Sequence, residues 1–205
     1  MKIAITGAQG IVGTALQARL SGGPHAVLAW GRDALDITAL GASQRFKILR
    51  DAKPDAVVNC AAWTDVDGAE TREMEALEAN AQGPGALAAV CKEIGAHLVH
   101  ISTDYVFDGS KAGPYVETDR VGPASAYGRT KLEGERAVTK RLPSATIART
   151  AWIYGANGKN FVDTILAKAA KVENLRVVDD QKGSPTWAFD LAGALIHLAE
   201  RKASG

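Results

Sequence analysis

Tyr127 and Lys131 stand four residues apart in AYGRTKLEGE (126–135). On a helix that spacing puts both side chains on one face. A lysine ammonium beside a phenol stabilises the phenolate and lowers the phenol's pKa. Such a tyrosine can give its proton to a carbonyl oxygen as hydride reaches the carbon. The motif is short, and a chance pair on a solvated helix has the same spacing. Two other stretches bear on it. HISTDYVFDG (100–109) sets Ser102 and Thr103 at the carboxyl end of an apolar run, where α/β sheets bind ligands. A hydroxyl there can hydrogen-bond a substrate carbonyl beside the tyrosine. TGAQGIVG (6–13) places Gly7, Gly10 and Gly13 between a strand and a helix. Glycines at that point allow a tight turn and close approach of a pyrophosphate to a helix N-terminus, although a tightly packed turn alone would also use them. Glycine turn, strand-end hydroxyl, tyrosine and lysine, in that order, point to carbonyl reduction with a nicotinamide dinucleotide.

These groups need a scaffold that brings distant segments to one edge. Short apolar runs at 2–6, 26–30, 56–60, 97–102, 145–150 and 175–179 read as strands. They are brief and apolar on successive residues, as in parallel strands covered on both faces. Helical patterns fall at 11–21, 38–52, 67–79, 83–94, 126–140, 160–171 and 187–201. The alternation predicts an α/β fold with a doubly wound parallel sheet of the Rossmann type and right-handed crossovers. The longest irregular segment, 104–125, carries Tyr105, Phe107 and Tyr115 and reads as an ordered loop over the site. At the tip of the second strand, Gly31-Arg32-Asp33 mixes the two cofactor signals. An acid there suits the 2′-hydroxyl of NAD and an arginine the 2′-phosphate of NADP. Arg32 leans the reading to NADPH, with NADH as the alternative, and Asp36 and Ile37 then fall near the adenine.

The bulk properties exclude several classes. The 205 residues are 46% hydrophobic and 23% charged, as in an ordinary globular protein able to bury a core without disulfides or structural metal. A formal charge of +1 and no cationic block argue against nucleic acid as a partner. No apolar stretch has the length of a membrane span, and MKIAITGAQG does not have the build of a secretory signal. Cys60 and Cys91 form no CxxC and read as buried thiols of a reducing compartment, so the expected location is the cytoplasm. The four histidines have no ligand spacing, so no metal site is expected among them. Asp104, Asp108, Glu117 and Asp119 are read as solvated loop acids, with Mg²⁺ dependence left open. Met74 and Leu77 read as helix packing.

The combination TGxxGxxG, strand-end Ser/Thr and YxxxK resembles the extended short-chain dehydrogenase/reductase superfamily. VVNCAAWTDVDGAE (57–70), STDYVFDG (102–109), YGRTKLEGE (127–135), RTAWIYG (149–155), GKNFVDTIL (158–166) and VVDDQKGSPTW (177–187) narrow the likeness to the dTDP-4-dehydrorhamnose reductase family, from Met1 to about Ala199. That resemblance implies NADPH-dependent reduction of the C4 keto group of dTDP-4-dehydro-L-rhamnose. It implies that Gly10, Ile11 and Val12 line the pyrophosphate and that Ala61, Ala62 and Trp63 pass beside the cofactor. Thr103 would polarise the keto oxygen, with Asp104 and Tyr105 beside it at the sugar. Tyr127 would be the proton donor, and Lys131 would hold the nicotinamide ribose and tune Tyr127. Trp152 would pack on the sugar ring, and Asn160 and Phe161 would lie near the nucleotide end of the substrate.

Members of the family continue beyond the equivalent of Gly205 with a strand and a helical piece. The expected division is therefore a dinucleotide-binding part over 1–150 and, over 151–205, an incomplete substrate-binding part with a returning strand and helix. A homodimer is left open. Two other readings also stay open. One is an epimerase or dehydratase of the same superfamily. The other is a non-catalytic NADP-binding subunit like the β subunit of methionine adenosyltransferase.

Overall fold

The apolar runs at the centre of the sheet are buried on both faces because helices cover it on both sides, while the outer runs, 26–30 and 146–150, are only partly buried. In the computed structural model, which describes residues 1–38 and 46–205, five of the apolar runs pair in parallel. They are β1 (Lys2–Thr6), β2 (Ala26–Trp30), β3 (Ala56–Asn59), β4 (His97–Thr103) and β5 (Thr146–Thr150), in the order β2-β1-β3-β4-β5. The order reverses between β1 and β3, and such a switch point opens a crevice at the carboxyl ends of the strands.

One face of the sheet is covered by α2 (Lys47–Ala52), α5 (Gly83–Ile94) and α6 (Ala126–Arg141). Leu49, Leu87 and Val138 join Ala4, Val57 and Leu98 in that core. On the other face α1 (Ile11–Leu20) and α8 (Ala188–Arg201) bring Leu16, Leu191 and Leu195 onto Ile3, Ile5 and Val99. Between β3 and α5 the chain forms α3 (Val66–Thr71), α4 (Glu73–Leu77) and a π-helical turn, Glu78–Gln82. Segment 104–125 starts with a 3-10 turn (Asp104–Val106) and is ordered by its own contacts. Phe107 and Tyr115 stack at 4.2 Å, and the Tyr115 hydroxyl donates to Asp108 Oδ1 at 2.9 Å.

Three expectations change. Residues 175–179 form no strand, and Val177 and Val178 are exposed. The small parallel pair is instead β6 (Ile153–Tyr154) with β7 (Thr186–Trp187), and α7 (Phe161–Ala169) lies between them in the chain. Beyond α8, Gly205 pairs with the free side of β5, donating its N–H to the Ala145 carbonyl and accepting from Ile147 N. Of the helix expected over 38–52, residues 39–45 lie outside the described residues and 47–52 are helical. Met74 is 67% exposed, so it is a surface residue and not packing.

Candidate active site

The glycine turn is built by close approach. Gly7 has φ +63°, a region that costs any other residue strain, and a Cβ there would lie 2.7 Å from Ala61 N. At Gly13 a Cβ would lie 2.5 Å from the Gly7 carbonyl oxygen, so α1 can enter this close to β1 only with glycine. Gly10 is different: its nearest neighbour would be that same oxygen at 3.4 Å, so its bare backbone serves the open side. Gly10 is also the N-cap of α1 and supplies no side-chain cap. The first N–H groups of α1 therefore face the crevice with their share of the helix dipole, a ready site for a phosphate anion.

The candidate reacting groups come from the end of β4 and the first turns of α6. Ser125 caps α6 by accepting from Gly128 N at 3.1 Å. Gly128 and Gly134 let the helix lie against the backbone oxygens of Tyr105 and Asn80. Tyr127 packs edge-on against the Tyr105 ring at 5.6 Å, with the Thr103 side chain acting on its phenol. Burial pushes the Tyr127 phenol up to about 12. Thr103 opposes that rise, and Asp104 and Tyr105 add to it. Burial also raises the Asp104 carboxyl, against hydrogen bonds from Thr103 and the backbone. Lys131 is 2% exposed and donates from Nζ to the Ile101 carbonyl at 2.7 Å. Burial brings it down to about 8, while Glu135 and Cys60 act to keep it charged. Burial first, then Thr103, Asp104 and Tyr105, set the phenol in this structure, in which the lysine ammonium reaches the strand carbonyl.

These elements enclose a cavity of about 1030 Å³, lined by every residue that the sequence assigned to catalysis, cofactor or substrate, whereas Phe107 and Tyr115 of the loop do not line it. Gly7, Gly10, Ile11, Val12 and Gly13 form its floor at the switch point. Arg32, Asp36 and Ile37 stand on one side, with Ala61, Ala62 and Trp63 after β3. Thr103, Asp104, Tyr105, Tyr127 and Lys131 line it too, as do Trp152, Asn160 and Phe161, and Gly155 and Gly158 bring that last segment close to Ile11. Two of them have a more specific part than their position suggests. Arg32 pairs through Nε with Asp36 at 3.1 Å, on a side chain 79% exposed. Burial alone would raise the Asp36 carboxyl, yet hydrogen bonds from Thr38 and Arg32 hold it below its usual value. Asn160 is the N-cap of α7. Its Oδ1 accepts from Asp163 N, and its Nδ2 serves Gly155, Gly158 and Asp163, so it shapes the wall.

Sequence reading missed the polar layer beneath the site. Asn59 accepts from the Thr6 hydroxyl at 2.5 Å and donates to His100 Nδ1 at 2.9 Å. Among the described residues, His100 Nε2 is the one fully buried side-chain nitrogen or oxygen without a hydrogen-bond partner. Burial and Lys131 keep that imidazole well below its ordinary pKa. Asn80, in the π turn, ties Trp63 N at 2.9 Å to the Thr130 hydroxyl at 3.1 Å, joining the loop after β3 to α6. π turns often mark functional sites, but nothing in EANAQ distinguishes one from an α-helix.

A doubly wound Rossmann-type sheet with a glycine cradle, a strand-end threonine and a tyrosine–lysine helix defines the extended short-chain dehydrogenase/reductase class. Within that class, residues 1–205 match the model of the RmlD substrate binding domain, and the chain belongs to this family. It is 46% identical over 209 residues to a dTDP-4-dehydrorhamnose reductase of Mycobacterium tuberculosis, covering 100% of this chain and 67% of that protein. The chain thus spans about two thirds of the length of such relatives. A crystal structure of a dTDP-4-dehydrorhamnose reductase from Clostridium acetobutylicum superposes with a TM-score of 0.94 at 45% identity, over 100% of this chain and 72% of that one. The reductase of Bacillus anthracis in complex with NADP gives 0.94 at 36% identity, over 100% and 73%. Among the described residues, no helix is long and apolar enough to cross a membrane and no His, Cys, Asp and Glu side chains form a metal-binding group.

Proposed function

We propose that this chain binds NADPH in the cavity and reduces the C4 keto group of dTDP-4-dehydro-L-rhamnose to the alcohol. The observation that carries the reading is the meeting of Thr103, Tyr127 and Lys131 beside an uncapped helix N-terminus in one cavity. The cradle fits a dinucleotide: Gly10 leaves room for a pyrophosphate, and the N–H groups of Ile11, Val12 and Gly13 are placed to receive it. Arg32 supplies a cation for a 2′-phosphate. The relative in complex with NADP supports that preference. In this reading residues 1–150 hold the dinucleotide, and 151–205 supply part of the sugar-nucleotide side.

A bound nicotinamide would supply the hydride; the chain supplies everything else. The Thr103 hydroxyl hydrogen-bonds the keto oxygen and draws charge toward it. Tyr127, protonated at neutral pH, gives its proton to that oxygen as the carbon is reduced, so the product is a neutral alcohol. Lys131 offsets the phenolate left behind and holds the ribose edge. Trp152, which lines the cavity, gives the sugar an apolar face.

The test is NADPH oxidation with dTDP-4-dehydro-L-rhamnose, on this chain and on a form extended to the relatives' length. Substrate-dependent oxidation is expected. NADPH binding without oxidation in either form would overturn the reductase reading and favour a non-catalytic nucleotide-binding subunit.

A further inference from the structure

We propose that Glu135 is a positioning residue of this site: its carboxylate ties the ends of β4 and β5 to α6 and so fixes Tyr127 and Lys131 against Thr103. The inference rests on the functional reading above. It starts from strand register. Ser102 pairs with Arg149 and Thr103 with Thr150 across the β4–β5 ladder. In-register neighbours on adjacent strands project to the same face, so Ser102 and Arg149 both reach α6. There they meet one carboxylate. The Ser102 hydroxyl donates to Glu135 Oε1 at 2.5 Å, and Arg149 donates from Nε to Oε1 at 2.9 Å and from Nη2 to Oε2 at 2.7 Å.

Glu135 is 6% exposed and lies one helical turn beyond Lys131, which lies one turn beyond Tyr127. The three form a stripe at i, i+4 and i+8 on the sheet-facing side of α6. Ser102, at the other end of the contact, adjoins Thr103. Arg149 also lies over the Phe107 ring at 5.0 Å, and Phe107 stacks on Tyr115. One carboxylate therefore joins both strand ends, the catalytic helix and the loop over the site. A buried ion pair gives little stability that well-packed apolar side chains could not give. Its geometry, with both oxygens committed in a two-pronged contact, is what an apolar pair cannot reproduce.

The charges around Lys131 agree with this. Glu135 on its own helix and Cys60 after β3 favour its ammonium, while His100 on β4 is held neutral. On β5, Arg149 faces Glu135 and, more remotely, Glu117 of the loop. Asp104 and Tyr105 act on Tyr127 instead.

Two variants test the proposal: Glu135→Gln, and the apolar exchange Glu135→Leu with Arg149→Met, which restores packing if the single change unfolds the chain. Two readouts are the pH profile of kcat and the NMR titration of the Lys131 ε-methylene. Loss of the Glu135 charge is expected to lower kcat about tenfold, leave KM within about threefold, and move the Lys131 midpoint down by about one pH unit. The apolar pair should regain Tm without regaining kcat. Glu133→Gln, which breaks the exposed pair with Arg136, should match wild type. Full kcat with an unmoved Lys131 midpoint in either Glu135 variant would overturn the proposal. If wild type itself fails to turn over, the reductase reading falls, and the Lys131 midpoint alone then decides Glu135.

Discussion

A phenol pushed up to about 12 keeps its proton throughout the physiological range, which suits Tyr127 to giving a proton rather than taking one. Tyr127→Phe should therefore lower turnover by roughly 10²–10⁴-fold. NADPH affinity, measured by fluorescence titration, should be nearly unchanged, and retained turnover would remove the donor role. Lys131 makes a prediction about stability. Its pKa falls from 10.5 to about 8 on burial, so the folded chain holds that proton less tightly than the unfolded chain. Between those values the unfolded state binds more protons, and stability rises with pH. Relative to Lys131→Met, wild type should gain on the order of 3 kcal/mol across that window and nothing below pH 7. Urea midpoints at pH 7 and pH 10 would measure it, and parallel curves would count against the burial effect. The spacing of Tyr127 and Lys131 was legible because both lie within one helical turn. The contact of Glu135 with Ser102 and Arg149 was not, since it depends on a strand register that no local pattern encodes.

At the scale of elements, the glycine turn separates packing from ligand approach. A Cβ at Gly13 would overlap the Gly7 carbonyl, whereas one at Gly10 meets only an ordinary contact. Gly13→Ala should cost about 1–3 kcal/mol by thermal denaturation. Gly10→Ala should leave Tm unchanged and weaken NADPH binding; equal effects of both on Tm would show that the cradle is only structural. The parallel strands were readable because burial on both faces demands continuous apolar runs. LRVVD (175–179) is as apolar and is not a strand: it pairs with no described strand, and Val177 and Val178 stay exposed. Composition reports what a segment tolerates, and the pairing partner decides what it becomes. The π turn escaped for a related reason: its extra residue is justified by Asn80 reaching both Trp63 and Thr130, contacts made with distant segments.

Across the whole molecule, two apolar layers are closed and one surface is not. No residue of α7 is buried; Phe161 and Leu166 are 65% and 64% exposed, and Val178 is 68% exposed. Apolar surface of that kind binds hydrophobic dyes. Leu166→Gln with Val178→Gln should lower dye fluorescence of the native chain while changing stability by less than ~0.5 kcal/mol. A marked loss of stability would mean that these side chains are packed in solution. The strand order also governs how the chain folds. Ile3 pairs with Ala56, Ala56 with His97 and Val99 with Thr146, so no ladder of the main sheet other than β1–β2 closes early. Long loops must be ordered before those contacts repay them, which makes parallel sheets slow to form. The cavity draws its walls from Gly7 to Phe161, so its lining is complete only after β5 is in place. A nascent chain released before β5 would carry the whole glycine turn and lack Trp152, Asn160 and Phe161, the part of the wall given to the sugar.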